Sequence, residues 1–171
     1  EVVDDRVTIR HDYVIDVDHD RKELELVDAI DPAPYDKLVV ATGAQLDPEQ
    51  VPGLVEGGHH FYGEDGSQAL RDELLTMDGG HIVLSVIGTP HMCPAAPLEF
   101  TFMVDDWLRE RGRRDEFDIT YTYPIMRVHG NEHIAEWADP RLRERDIGVE
   151  TMFNAESVDP EAETITSMEG T

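Results

Sequence analysis

Short apolar segments alternate with longer amphipathic ones through the second half of the chain. The apolar residues predict three strands, at residues 81–87, 118–123 and 149–153. Two segments with the length and spacing of helices lie between them, at residues 98–111 and 133–145. This strand-helix-strand-helix-strand order needs crossover connections, so it predicts three adjacent, parallel strands covered by helices. The fold class expected for this half is therefore α/β with a parallel sheet.

The first of these helices has an apolar stripe at helical spacing, which would face the sheet. The stripe consists of Phe100, Met103, Val104, Trp107 and Leu108.

A last strand is expected at residues 164–168, after the turn around Pro160.

The first third of the chain has a different pattern. Residues 1–10, 13–17 and 24–27 alternate apolar and charged side chains, which is typical of antiparallel strands with one buried face. Residues 38–41 are apolar without alternation, and such a run predicts a strand buried on both faces. Residues 31–34 are expected to form a turn.

These patterns divide the chain into three parts: residues 1–45, residues 46–78 and residues 79–171. The middle part is rich in glycine and proline up to residue 66, so it is interpreted as a linker. A short helix follows at residues 68–75, with Asp65 or Ser67 as its N-cap.

Acidic residues dominate the composition. The 171 residues include 38 Asp and Glu but only 14 Lys and Arg, for a formal net charge of −24, and only Lys22 and Lys37 are lysines. Such surfaces suit concentrated salt, where screening removes most of the self-repulsion. We therefore expect a halophilic cytoplasmic protein, with an ordinary acidic protein as the alternative. Phosphate backbones are repelled by this charge, so a nucleic-acid partner is not expected.

Other protein classes are disfavoured by what the sequence contains. Cys93 is the only cysteine, which excludes a disulfide within the chain. The apolar runs are far shorter than the roughly 20 residues of a membrane helix. No basic segment followed by an apolar one opens the sequence, so no signal peptide is predicted.

Two patterns imitate metal sites. The acidic turn at residues 16–20 begins like a calcium loop but lacks the required glycine and the bidentate glutamate. The pairs His91 with Cys93 and His129 with His133 have ligand-like spacing, yet they do not complete a tetrahedral set. We predict no metal site.

Residues 35–44, with the sequence Tyr-Asp-Lys-Leu-Val-Val-Ala-Thr-Gly-Ala, form the most specific motif. Small residues after a strand let the backbone approach a cofactor, and Gly43 tolerates backbone angles that other residues avoid. The predicted cofactor-binding residues here are Ala41, Thr42, Gly43 and Ala44. A plain strand that ends in a glycine turn is the alternative.

Residues 88–99, with the sequence Gly-Thr-Pro-His-Met-Cys-Pro-Ala-Ala-Pro-Leu-Glu, form the second motif. In a dinucleotide-binding loop at this place, three glycines hold a pyrophosphate against a helix N-terminus. Here Gly88 is the only glycine and three prolines stiffen the segment, which argues against tight nicotinamide binding. A cysteine, Cys93, stands beside the helix N-terminus instead, where a thiolate is favoured.

Both motifs resemble those of known flavoproteins. Residues 35–44 are similar to the second flavin-binding motif of flavoproteins with two dinucleotide-binding domains. The loop around Cys93, with residues 121–124, resembles that of the sulfide:quinone oxidoreductase family. The resemblance covers essentially the whole chain and implies FAD as the cofactor, with sulfide and quinone as substrates. Residues 1–45 would then be part of the FAD-binding domain, and residues 79–171 a second, Rossmann-like domain.

The resemblance also implies roles for single residues. Cys93 would lie close to the flavin and take part in sulfide oxidation, with a second cysteine beyond residue 171 as its partner. A persulfide formed there could pass two electrons to the flavin. Gly88 and Pro94 would lie on the cofactor side of the loop, and Glu99 would assist proton transfer.

The same resemblance places the family's first glycine-rich flavin motif before residue 1. We therefore expect the chain to be an internal fragment of a longer enzyme, inactive by itself. Peripheral contact with the cytoplasmic membrane would reside in a C-terminal region outside these residues.

Several alternatives stay open at this point. Cys93 could be an inert buried cysteine, and Glu99 an exposed carboxylate at a helix start. The protein could be a type II NADH:quinone dehydrogenase or another NAD(P)H-dependent flavoprotein. It could also be a non-catalytic nucleotide-fold binding module. The sequence does not predict an oligomeric state.

Overall fold

The computed structural model describes residues 6–170. It divides the chain into two compact units, with the division between Gly43 and Ala44. Half of the strand predicted at residues 1–10 lies outside the described residues. Residues 7–10 are not in a strand, so for them that prediction is wrong.

The first unit contains a small antiparallel sheet. Its strands β1 (Val14–Asp18), β2 (Glu23–Leu26) and β3 (Ala33–Pro34) pair in the order β1-β2-β3. The Oδ1 of Asp18 accepts hydrogen bonds from the amides of Asp20 and Arg21 in the turn between β1 and β2. The predicted antiparallel strands at residues 13–17 and 24–27 are confirmed. The short strand β3 stands where only a turn was expected.

Residues 38–41 do not form the buried strand that their apolar run predicted. They have no strand assignment, and Val39 and Val40 are 85% and 72% exposed. A strand exists through its ladder of hydrogen bonds to a neighbour, and no described strand pairs with this segment. The prediction is wrong for this structure because an apolar run cannot specify its partner.

The second unit is built around a parallel sheet. Its strands are β4 (Gly80–Ser85), β5 (Phe117–Tyr123) and β6 (Gly148–Thr151), with β5 in the centre. Ile82 lies opposite Ile119, and Tyr121 lies opposite Val149. The three strands are adjacent and parallel, which confirms the predicted α/β topology.

Burial differs between the strands of this sheet. In β5 the side chains of Phe117, Ile119, Tyr121 and Tyr123 are buried, because the strand has a neighbour on each side and core residues against it. β4, whose apolar residues predicted a buried strand, is only partly buried. It pairs with β5 alone among the described strands, so it lies at an edge of the sheet.

Helix α3 (Ala96–Glu110) follows β4 and begins two residues earlier than predicted. Pro97 lies in its first turn, where the missing amide proton costs nothing. The buried face differs from the predicted stripe: Met103 is 61% exposed, whereas Thr101 and Asp105 are buried. Thr101 is satisfied because its hydroxyl donates to the Pro97 carbonyl at 2.8 Å.

Asp105 is buried because three arginines surround it. Its carboxylate accepts hydrogen bonds from Arg109 at 2.8 Å, Arg114 at 2.6 Å and Arg145 at 2.7 Å. Burial alone would raise the pKa of Asp105, but the hydrogen bonds from Arg109, Arg145 and Arg114 together lower it below its ordinary value. These four residues, here called the Asp105 cluster, join α3 to the segment before β5 and to the end of the following helix.

Helix α4 (Glu132–Glu144) connects β5 to β6, as predicted. Asn131 is its N-cap, and its side-chain oxygen accepts a hydrogen bond from the Ile134 amide at 3.3 Å. Ala135, Ala138 and Leu142 are buried in the same core cluster as Leu108 of α3 and Tyr121 of β5.

The segment interpreted as a linker has defined structure. It contains a 3-10 turn at Pro48–Gln50, the short helix α1 (Leu54–Gly57) and helix α2 (Glu64–Thr76). Gly63 precedes α2 and no side chain caps it, so the predicted caps at Asp65 and Ser67 are wrong.

A hairpin of β7 (Ala155–Asp159) and β8 (Thr164–Ser167) ends the described chain. β8 was predicted, whereas β7 was not. The amide of Val158 donates to the Pro52 carbonyl at 2.8 Å, so the hairpin is tied to the segment before α1. In residues 6–170 we find no helix with the length and apolar content to cross a membrane.

Candidate functional site

The loop at residues 86–95, here called the Cys93 loop, leaves the carboxyl end of β4 and leads into α3. The Val86 amide donates to the Thr122 carbonyl at 3.2 Å, which extends the pairing with β5 beyond the end of β4. The loop therefore begins at the carboxyl edge of the parallel sheet, where open α/β sheets bind their ligands.

Cys93 is a free, exposed cysteine in this loop. Its φ angle of 53° lies in the left-handed region, which costs a non-glycine residue about 1–2 kcal/mol. Its carbonyl accepts a hydrogen bond from the Ala96 amide at 3.0 Å, just where α3 begins. The alternative of a cysteine buried in the core is wrong.

The residues predicted beside Cys93 are also exposed. Gly88 has an ordinary φ angle and open space around the position of a Cβ atom, so nothing in the described structure requires glycine there. Pro94 is exposed, and Glu99 is exposed in the first turn of α3. A carboxylate at that place is favoured by the helix dipole.

The cofactor-binding residues predicted from the first motif lie elsewhere in the chain. Ala41, Thr42 and Gly43 end the first unit, and Ala44 begins the second. All four are exposed, and the φ angle of Gly43 is 75°, a left-handed value that glycine adopts without strain. The structure thus places Gly88, Cys93, Pro94 and Glu99 on one loop and helix, and Ala41, Thr42 and Gly43 in the other unit.

Tyr62 contacts the Cys93 loop, although sequence reasoning did not select it. Its hydroxyl donates to the Met92 carbonyl at 2.7 Å. Burial, followed by the effect of the neighbouring Cys93, raises the pKa of Tyr62 above its ordinary value. The available signal was the pair Phe61-Tyr62, two aromatic residues in a segment otherwise rich in glycine and proline.

A group of aromatic and histidine side chains lies at the end of β5. The Nε2 of His91, in the Cys93 loop, lies 3.4 Å from the hydroxyl of Tyr123. The hydroxyl of Tyr121 donates to the Val128 carbonyl at 3.0 Å. Burial, with a smaller effect of Tyr123, raises the pKa of Tyr121 far above its ordinary value, so this group acts only as a phenol donor.

His129 is buried beside the start of α4, with 4% of its surface exposed. Its Nδ1 accepts a hydrogen bond from the Asn131 amide at 2.9 Å, so the ring proton resides on Nε2. In residues 6–170 this Nε2 is the only buried side-chain nitrogen or oxygen without a hydrogen-bond partner. No group of three or more His, Cys, Asp and Glu side chains in the described part of the chain is arranged to hold a metal ion.

Two mitochondrial sulfide:quinone oxidoreductases are similar in sequence to this chain. No family model matches the chain. Mitochondrial sulfide:quinone oxidoreductase of Mus musculus is 27% identical over 134 residues, which is 74% of this chain and 29% of the mouse protein. This chain is similar to sulfide:quinone oxidoreductases. The resemblance found in the two motifs is confirmed, and the chain spans less than a third of the length of this relative.

Solved structures support the fold. The sulfide:quinone oxidoreductase of Aquifex aeolicus superposes with a TM-score of 0.66 at 20% identity, covering 94% of this chain and 38% of that chain. An NAD-dependent persulfide reductase from A. fulgidus superposes with a TM-score of 0.56 at 18% identity, covering 93% of this chain and 28% of that chain. The predicted fold class, a parallel α/β sheet with an antiparallel β piece, is confirmed.

The exposed segment at residues 41–44 fits the needs of a dinucleotide cofactor. Its side chains are small, and nothing lies within 4 Å of the position of a Cβ atom at Gly43. A polar cofactor group can therefore approach this backbone closely. The hydroxyl of Thr42 adds one donor and acceptor.

Proposed function

We propose that this chain is part of a flavin-dependent oxidoreductase that oxidises sulfide and passes the electrons through FAD to a quinone. The observation that carries the proposal is the exposed Cys93, held at the carboxyl edge of the parallel sheet and directly before α3. The similarity to sulfide:quinone oxidoreductases supports the same assignment.

Cys93 would act as the residue that handles sulfur. Sulfide is the nucleophile, and the start of a helix favours the thiolate that its attack on a disulfide releases. Sulfide that adds to a disulfide between Cys93 and a second cysteine leaves one sulfur as a persulfide and the other as a thiolate. The second cysteine would belong to a part of the protein outside these 171 residues, because Cys93 is the only cysteine here.

FAD would supply the acceptor for the two electrons that sulfide oxidation releases. Ala41, Thr42, Gly43 and Ala44 would bind it through their exposed backbone, and Gly88 and Pro94 are further candidate cofactor-binding residues in the Cys93 loop. Glu99 would accept a proton in the first turn of α3, where its exposed carboxylate can exchange that proton with water. The cytoplasm is the proposed compartment, with peripheral membrane contact through other regions of the protein.

The test uses the whole flavoprotein that contains this chain. Flavin absorbance that is bleached by sulfide, together with sulfide-dependent quinone reduction, is the expected result. Cys93→Ser should abolish that turnover while flavin stays bound, because serine keeps the shape but cannot form the disulfide that sulfide attacks. Normal turnover in Cys93→Ser, or a preparation without flavin, overturns the proposal.

A second candidate is an NAD(P)H-dependent flavoprotein, and the likeness to an NAD-dependent persulfide reductase favours it. The loop argues against it, because Gly88 is its only glycine and three prolines stand where a pyrophosphate would need close approach. Bleaching of the flavin by NADH and not by sulfide would select this candidate. A protein without flavin would instead be a non-catalytic binding module.

A further inference from the structure

Hydrogen bonds hold the backbone on both sides of Cys93. The carbonyl of Met92, the residue before it, accepts a hydrogen bond from the Tyr62 hydroxyl at 2.7 Å. The carbonyl of Cys93 itself accepts one from the Ala96 amide at 3.0 Å. Between these two anchors the cysteine has a left-handed φ angle of 53°, which a non-glycine residue keeps only when its surroundings impose it.

Tyr62 is itself anchored. The ring of its neighbour Phe61 stacks on Phe100 of α3, with 4.6 Å between ring centroids and 20° between ring planes. The hydroxyl of Ser67, in α2, lies 2.8 Å from the Phe61 carbonyl. The phenol therefore reaches the Cys93 loop from a segment that is fixed to two helices.

We propose that Tyr62 is a positioning residue for Cys93. Its hydrogen bond holds the Met92–Cys93 peptide, so the cysteine keeps the backbone conformation that exposes its thiol. The same conformation keeps Cys93 directly before α3, and the start of a helix stabilises negative charge. This inference rests on the proposed function, in which Cys93 handles sulfur.

The chemistry of the phenol suits this role. An unperturbed cysteine ionises at about pH 8.5 and an unperturbed tyrosine at about pH 10. Burial and the neighbouring Cys93 raise the pKa of Tyr62 further above that of an ordinary tyrosine. The phenol therefore keeps its proton, and its hydrogen bond to Met92, over the whole range in which a thiol titrates.

The test compares Tyr62→Phe with the unaltered protein by the rate at which iodoacetamide alkylates Cys93. The variant removes one hydroxyl and keeps the ring. We expect the rate at pH 7 to fall about threefold while the rate at the alkaline plateau stays the same, which corresponds to half a pH unit in thiolate formation. A merely structural role would not move the pH dependence in this way.

Tyr13→Phe is the matched control, because Tyr13 is 78% exposed and lies in the first unit. Equal pH–rate curves for Tyr62→Phe and Tyr13→Phe overturn the inference. If Tyr62→Phe does not fold, Ser67→Ala replaces it, since it loosens the Phe61 carbonyl and keeps the phenol. We expect a loss of about twofold at pH 7, and an unchanged curve again overturns the inference.

The outcome is separable from that of the proposed function. Alkylation needs neither flavin nor sulfide, so it reports on Tyr62 even if Cys93→Ser keeps full turnover. In that case the proposed role of Cys93 in sulfide oxidation would be wrong, whereas the role of Tyr62 in positioning the Cys93 thiol would remain.

Discussion

The Nε of Arg114 lies 2.6 Å from the Oδ1 of Asp105, a carboxylate with no exposed surface. Arg109 and Arg145 donate hydrogen bonds to Oδ2, the other oxygen of this carboxylate. Arg114 also donates to the Phe117 carbonyl at 2.6 Å, at the first residue of the central strand β5. The Asp105 cluster therefore stabilises the start of that strand as well as α3.

We expect Asp105→Asn to lower the free energy of unfolding by about 3 kcal/mol, because it leaves partly buried guanidinium groups without their charge partner. Urea unfolding in molar salt measures this. Asp106→Asn is the control: Asp106 is 56% exposed and forms a surface ion pair with Arg145, so its loss should cost less than about 1 kcal/mol. Equal costs for the two variants would contradict the structural assignment.

The same carboxylate gives a pH dependence with a definite sign. The pKa of Asp105 is lower in the folded protein than its ordinary value, so its contribution to stability is complete above about pH 4. That contribution is lost as pH falls through the lowered pKa. The difference in unfolding free energy between the unaltered protein and Asp105→Asn should thus be constant from pH 5 to 8 and shrink near pH 3. A difference that grows on acidification would refute this.

Two glycines give a matched test of backbone packing. A Cβ atom on Gly53 would clash with the Val158 carbonyl oxygen, and the φ angle of Gly53 is 77°. Gly53→Ala should therefore destabilise the protein by more than about 2 kcal/mol. Gly88→Ala meets open space at an ordinary φ angle and should change stability by less than about 0.5 kcal/mol. Thermal unfolding of both variants measures these changes in stability. A Gly53→Ala variant as stable as the unaltered protein would be incompatible with the close contact between Gly53 and β7.

Salt should stabilise the fold. With a formal net charge of −24, carboxylates repel one another across a small surface, and this repulsion is screened as the Debye length falls to about 3 Å at 1 M salt. The midpoint of thermal unfolding is expected to rise with potassium chloride, mostly below 1 M. Sucrose is the control because it favours compact states without screening charge. A midpoint that stays level or falls with added salt would exclude this effect.

The parallel sheet could be predicted because the sequence pattern that specifies its strands and helices is local. Apolar strands and amphipathic helices alternate from residue 81 to residue 153, and the crossover rule then predicts that β4, β5 and β6 are adjacent and parallel. Residues 38–41 show the limit of the same reasoning. Their run, Leu-Val-Val-Ala, is as continuous as the Ile-Val-Leu of β4, but a strand needs a neighbour, and the identity of a neighbour is not encoded in the run itself.

The face of α3 shows a second limit. Hydrophobicity selected Met103 for the core and left Asp105 outside, and the structure reverses both. Asp105 is buried because Arg109, Arg114 and Arg145 reach it, and the contacts with Arg114 and Arg145, which lie outside the helix, are not visible in a helical pattern. A buried carboxylate needs all of its partners at once.

At the candidate site, sequence reasoning selected the Cys93 loop from its cysteine and its missing glycines. It did not select Tyr62, which lies 31 positions before Cys93, because a hydrogen bond to a backbone carbonyl requires no particular residue at the accepting position. Motifs record the side chains that do chemistry better than those that hold a loop in place.

The choice of arginine around Asp105 sets the alkaline behaviour of the fold. A guanidinium group keeps its proton to above about pH 12, whereas an ammonium group begins to lose its charge near pH 10, and earlier when it is desolvated. All three cations on Asp105 are arginines. The attraction that holds α3 to β5 therefore has an acid limit, set by the carboxylate, and persists through any alkalinity that a living cell meets.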